Sequence, residues 1–165
     1  MPRNLSELLI DGLRDAYSAE QQLLTALPEM AKAAKSSTLA KLFKDDIAAT
    51  KSQVGRLAAI FEELGEAPEG KVSLPMEGLL NASQKLAAEG MPPEVLDAAL
   101  IASAHKIAHY EIASYSSLCG FAESLGHSKA AKALRASLSE EKKFDSDLTE
   151  IAKTKVNPRA TSNAA

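Results

Sequence analysis

The chain has 165 residues, 45% of them hydrophobic and only 4% aromatic, with a formal net charge of −3. That length fits one domain whose core needs no covalent staples, and the acidic balance excludes a protein dedicated to nucleic acid, which would show a basic face or stripe. A single cysteine, Cys119, excludes an internal disulfide framework; with neither a leader-like segment nor an apolar run of about 18 residues, the expected place is the cytoplasm, with no membrane partner.

Long segments with helical periodicity, separated by clusters of proline and glycine, predict an all-α fold. The first helix can be capped by Asn4 or Ser6 and carries Leu9, Leu13, Ala16, Glu20, Leu23, Leu24 and Leu27 on its inner face. Pro28 should kink or end it, because proline removes a backbone donor. Ser36 and Ser37 are cap candidates for the second helix, whose stripe includes Leu39, Phe43, Asp46, Thr50, Gln53, Leu57 and Ile60 and stops at Gly65. Between Gly65 and Pro93 the prolines and glycines leave room only for a short amphipathic helix, about Met76 to Ala88. Pro92 and Pro93 open the third long helix, which ends near Gly126. Ser128 is the expected cap of the fourth, with Leu134, Leu138, Glu141, Phe144, Asp145, Leu148 and Ile151 inward. A bundle over residues 1–153 is expected, followed by a disordered tail over 154–165 that has no apolar period.

Residues 20–60 can be laid on 111–151 without a gap, so that Glu20 meets Glu111, Leu27 meets Leu118, Leu57 meets Leu148 and Ile60 meets Ile151. Two such hairpins joined by one long crossover describe a ferritin-like four-helix bundle, with the crossover between helices 2 and 3 and the short helix inside it. The crossover makes the helices on either side of it parallel.

Glu111 is the residue that makes this core unusual. At about 100° per residue it lies on the same face as Ala104, Ile107, Ala108, Tyr115 and Leu118, and a lone buried carboxylate is costly unless it is neutralised, paired or bound to metal. The bundle brings Glu20, Asp46, Glu111 and Glu141 to similar depth, with Thr50, Gln53 and Asp145 close by. Cations would let several carboxylates share such a site, and iron or manganese, as one or two ions, suits these ligands. The rival is a metal-free polar layer in which protonated carboxyls, Thr50, Gln53, Tyr17 and Tyr115 satisfy one another. No Glu-x-x-His occurs in the sequence. His105 and His109 point about 120–160° away from Glu111 at helical spacing and read as surface or interface residues; His127 reads as a loop residue and Cys119 as a small buried one.

Several stretches together resemble the YciE/YciF-like bacterial stress proteins. They are Asp15-Ala-Tyr-Ser-Ala-Glu20-Gln-Gln-Leu-Leu, Ala26-Leu-Pro-Glu-Met30, Thr50-Lys51-Ser-Gln53 with Arg56-Leu57, Met76-Glu-Gly-Leu, His109-Tyr-Glu-Ile-Ala-Ser-Tyr115, Leu125-Gly-His127 and Leu138-Ser-Glu-Glu-Lys142 with Asp145. The resemblance spans the chain up to about Ala152. It implies a ferritin-like bundle, a dinuclear iron site, homodimerisation and a role in stress. This chain departs from the family pattern: Asp46 stands for a histidine, Ala49 and Ala108 stand for glutamates, and His105 stands for a glutamine. Those changes weaken a two-metal site and leave one metal, or none, in contention. The expected ligands are Glu20, Asp46, Glu111, Glu141 and Asp145, the last either a ligand or an acceptor behind one. Whether the chain is an enzyme stays open; if it is, oxidase or peroxidase chemistry at iron or manganese is implied. The metal-free alternative is a structural or protein-interaction module that keeps the fold.

Overall fold

Each long apolar stripe folds as a helix because the stripe can be buried only against another like it. A computed structural model describes residues 1–69 and 71–162. The helices are α1 (Leu5–Ala33), α2 (Ser37–Leu64), α3 (Leu74–Ala88), α4 (Pro93–Ser124), α5 (Ser128–Ile151) and α6 (Asn157–Ser162), with a π-helical segment at Ala152–Val156. Among the described residues there is no strand, and no helix is long and apolar enough to cross a membrane.

Local chemistry sets most of the boundaries. Asn4 accepts the Glu7 N–H and Ser36 accepts the Leu39 N–H, as N-caps do. Gly65 closes α2 in the left-handed region at φ 67°, where a Cβ would be strained. Pro93 begins α4, where its missing N–H costs nothing. Pro28 does not end α1, which continues to Ala33. Ser128 does not cap α5 either: it is the first helical residue, and His127 holds the cap position without a side-chain bond.

The fold is a ferritin-like four-helix bundle. Leu118 of α4 packs beside Gly12 of α1, and Asp97 near the start of α4 reaches the turn after α1, accepting the N–H groups of Lys35 and Ser36 at 2.7 Å each. α1 and α4 are therefore antiparallel. Gln53 meets Glu141, and Thr38 meets Lys155 just beyond α5, so α2 and α5 are antiparallel as well. It follows that α2 and α4 run parallel, as the long crossover requires. Within the crossover α3 lies against α1 and α4, with Met76 and Leu80 buried. Ser73, at its start, is tied to Asp15 and Ser18 of α1 and to Tyr110 of α4.

Two apolar clusters fill the bundle. One gathers Leu9, Leu13, Leu57, Phe61, Leu118 and Leu134 at the end where α1 begins; the other gathers Leu27, Leu39, Phe43, Met76, Leu100 and Leu148 at the opposite end. The tail departs from expectation. Residues from Thr154 to Ser162 continue as helix rather than being disordered. Val156 is buried in the second cluster, Ala152 packs against it and Lys155 reaches Thr38; one fully buried residue leaves no period to read. Residues 163–165 lie outside the described residues.

Candidate metal centre in the bundle core

On every long helix the apolar stripe is interrupted at the same depth. Glu20 on α1, Asp46, Thr50 and Gln53 on α2, Glu111 on α4 and Glu141 on α5 are all buried, and they form a polar layer between the two apolar clusters. Glu20, Glu111 and Glu141 are 1%, 3% and 3% exposed, so water cannot screen them from one another.

The Tyr115 hydroxyl donates to Glu20 Oε1. The Gln53 amide donates to Glu141 Oε1 at 2.5 Å and to Glu140 Oε2 at 3.2 Å. Glu140 stands at the rim, where the Arg56 guanidinium grips it with two bonds of 2.6 and 2.7 Å; Arg56 also donates to the Ser137 hydroxyl. This pair closes the seam between α2 and α5. It was not foreseen from the sequence, because Arg56 and Glu140 both fall outside the apolar stripes.

Three buried oxygens, Glu20 Oε2, Glu111 Oε1 and Gln53 Oε1, find no donor while the carboxyls are ionised; Glu111 can bond to Glu20 and to Glu141 once a proton is shared between them. Native interiors leave few such atoms, and each calls for an explanation. Burial drives the electrostatics. It pushes Glu20 up to about 8 against the pull of the Tyr115 bond, with Glu141 and Asp46 adding to the rise. Asp46 is likewise pushed up to about 8, by burial and then by the charges of Glu141 and Glu140. Glu111 lies well above the usual carboxylate range, by burial and then by Glu141, Glu20 and Asp46. Glu141 is also raised by burial, though its bond from Gln53 holds it back. Without a cation, Glu20 and Asp46 hold protons at neutral pH.

Two expected members fall elsewhere. Asp145 turns toward α4 with its side chain 24% exposed, meeting His105 and His109 rather than the carboxylate layer. Its place on the helix explains this: four residues beyond Glu141 it is rotated by about 40°, enough to bring it to the groove edge. Tyr17 packs edge-on against Phe61, with ring centroids 6.2 Å apart, in the first apolar cluster. Ala108 is fully buried among apolar neighbours, and Cys119 is buried as a free thiol. An apolar groove lined by Ala26, Met30, Leu80, Ala87 and Leu100 lies between α1, α3 and α4 and includes none of the layer's carboxylates.

A family model described as a domain of unknown function, DUF892, matches residues 4–161. The chain belongs to this family. Among curated proteins the DUF892 chain is 38% identical over 163 residues to Protein YciF of Escherichia coli strain K12, covering 98% of each. Among solved structures it matches that of the E. coli stress protein YciF with a TM-score of 0.91 and 39% identity, over 94% of this chain and 99% of the other. It also matches YcfI, described as a putative structural protein from Rhodopseudomonas palustris, with a TM-score of 0.87 and 37% identity over 89% and 94%. The resemblance to YciF-like proteins read from the motifs therefore holds along nearly the whole chain.

Proposed function

We propose that this DUF892 member is a cytoplasmic, homodimeric stress protein that holds iron or manganese in its bundle core, with Glu20, Asp46, Glu111 and Glu141 as ligands. The stress role rests on the likeness to YciF. The metal reading rests on four buried carboxyls, one from each long helix, sharing one dry layer, with Glu20 Oε2 and Glu111 Oε1 lacking a donor when ionised. A cation supplies what those oxygens lack, and it keeps the carboxylates ionised where burial alone would protonate them. The donor set is all oxygen, which suits a hard ion and favours manganese over a pair of irons; Ala49 and Ala108 leave few ligands for a second ion. A bound redox-active ion would supply electron transfer to peroxide or oxygen. The chain's own groups would hold and orient the ligands: Tyr115 fixes Glu20, and Gln53 fixes Glu141.

Melting under anaerobic conditions tests the site. Metal that binds only the folded state must stabilise it, so manganous or ferrous ion should raise the melting temperature of wild type and not of Glu111→Ala or Glu20→Ala. No shift in wild type would end the metal reading. It would leave a second one, a metal-free structural module, favoured by the Tyr115–Glu20 and Gln53–Glu141 bonds and by the likeness to YcfI. Light scattering that gave a monomer at tens of micromolar would remove the homodimer.

A further inference from the structure

A second cluster of ligand-type side chains lies outside the carboxylate layer. His105 and His109 are one turn apart on α4, so both project from one strip of the helix, and Asp145 reaches them from α5. Nδ1 of His105 and Nε2 of His109 lie 2.6 and 3.1 Å from the same Asp145 oxygen, Oδ1. All three ligand atoms fall within 4.8 Å of one another. The side chains are 29%, 68% and 24% exposed, so water reaches the cluster.

We propose that His105, His109 and Asp145 form a site for a zinc-class divalent ion, separate from the bundle core. Two imidazole nitrogens and one carboxylate oxygen, with a further position open to water, make the donor set of an open zinc site. Ligand atoms bound tetrahedrally at about 2.0–2.1 Å stand about 3.3 Å apart, so the spacings of 2.6 and 3.1 Å need to open by about 0.7 and 0.2 Å, and the two imidazole nitrogens, which lie within 4.8 Å of each other, need to settle at the same spacing. The half-exposed rings have room to make that adjustment, and the two packed helices hold the backbones that carry them. The layer inside offers only oxygen, whereas this cluster offers mainly nitrogen. Imidazole selects zinc, copper or nickel over the hard ions that carboxylates prefer. The two sites therefore sort metals by donor type.

Zinc titration of the tag-free, chelator-treated full chain, followed by calorimetry, decides the matter. Besides any zinc taken up by the core, wild type should bind one zinc ion whose affinity falls at least about tenfold in His105→Gln and in Asp145→Asn. Glu111→Gln should leave that binding unchanged. Circular dichroism checks that each variant is folded, and His109→Ala replaces either one that is not. The imidazole resonances of His105 and His109 should shift on zinc addition. Three results would each overturn the site: no zinc bound by wild type, the same affinity in both His105→Gln and Asp145→Asn, or loss of the ion in Glu111→Gln.

Discussion

The His105–His109–Asp145 cluster lies on α4 and α5, the two helices that also carry Glu111 and Glu141 of the carboxylate layer, and water separates their behaviour. Glu111 and Glu141 are each 3% exposed, whereas Asp145 is 24% and His109 68% exposed at the side chain. Inside, every carboxyl is forced upward by burial and leans on neighbours that are themselves acids. Outside, the one acid faces two imidazoles, and solvent serves whatever they leave unpaired. Between these two clusters depth rather than residue type decides whether an acid needs a counter-ion, whereas Asp97, 5% exposed, is served by two backbone N–H groups.

The largest test of that contrast is pH. In metal-free protein Glu20 and Asp46 rise from 4.5 and 3.8 to about 8 on folding. The folded state then binds more protons than the unfolded state throughout that window, so stability should fall as pH rises from about 4 toward 8 and stay level below it. Each tenfold change in proton affinity is about 1.4 kcal/mol, and two groups contribute. Denaturant midpoints at both ends of the window measure it, and saturating manganese should flatten the slope. A metal-free midpoint independent of pH would break the contrast.

Glu111→Leu should come next. It removes a buried acid and fills the space with an apolar side chain of similar size. At pH about 8 without metal it should stabilise by about 1–4 kcal/mol, the range seen when buried charges are replaced by apolar groups. A lower melting point would mean that the layer holds the fold together through Glu111. The smallest effect belongs outside: His105→Gln should change stability by no more than about 0.5 kcal/mol, as for most surface positions. A loss of several times that would make the His–Asp pairing a structural bond.

Helical periodicity was enough to find Glu20, Asp46, Thr50, Gln53, Glu111 and Glu141, because a residue on an apolar stripe has one place to go. The parallel α2 and α4 followed from the proline- and glycine-rich gap. Asp145 was harder to place. Its angle along α5 lies at the edge of the stripe, and only the neighbouring helix decides which way an edge residue turns. His105 and His109 read correctly as facing away from Glu111, but a single helix does not reveal that Asp145 waits across the groove. The helix through Ser162 escaped notice because Val156 is the one fully buried residue of its π-helical start, which leaves no apolar period to read.

Asp97 carries a consequence for how the molecule assembles in time. The hairpins α1–α2 and α4–α5 each close through a turn of a few residues, and local contacts form quickly. Asp97 instead joins the turn of the first hairpin to the start of the second across 61 and 62 residues of chain. Those bonds can form only once the hairpins have docked, so Asp97 acts as a latch between them. Asp97→Ala should therefore speed unfolding and leave the folding rate nearly unchanged, a pattern that the two arms of a chevron plot would separate. The lifetime of the folded bundle, and with it the retention of anything held in its core, would then be set at a turn remote from the layer.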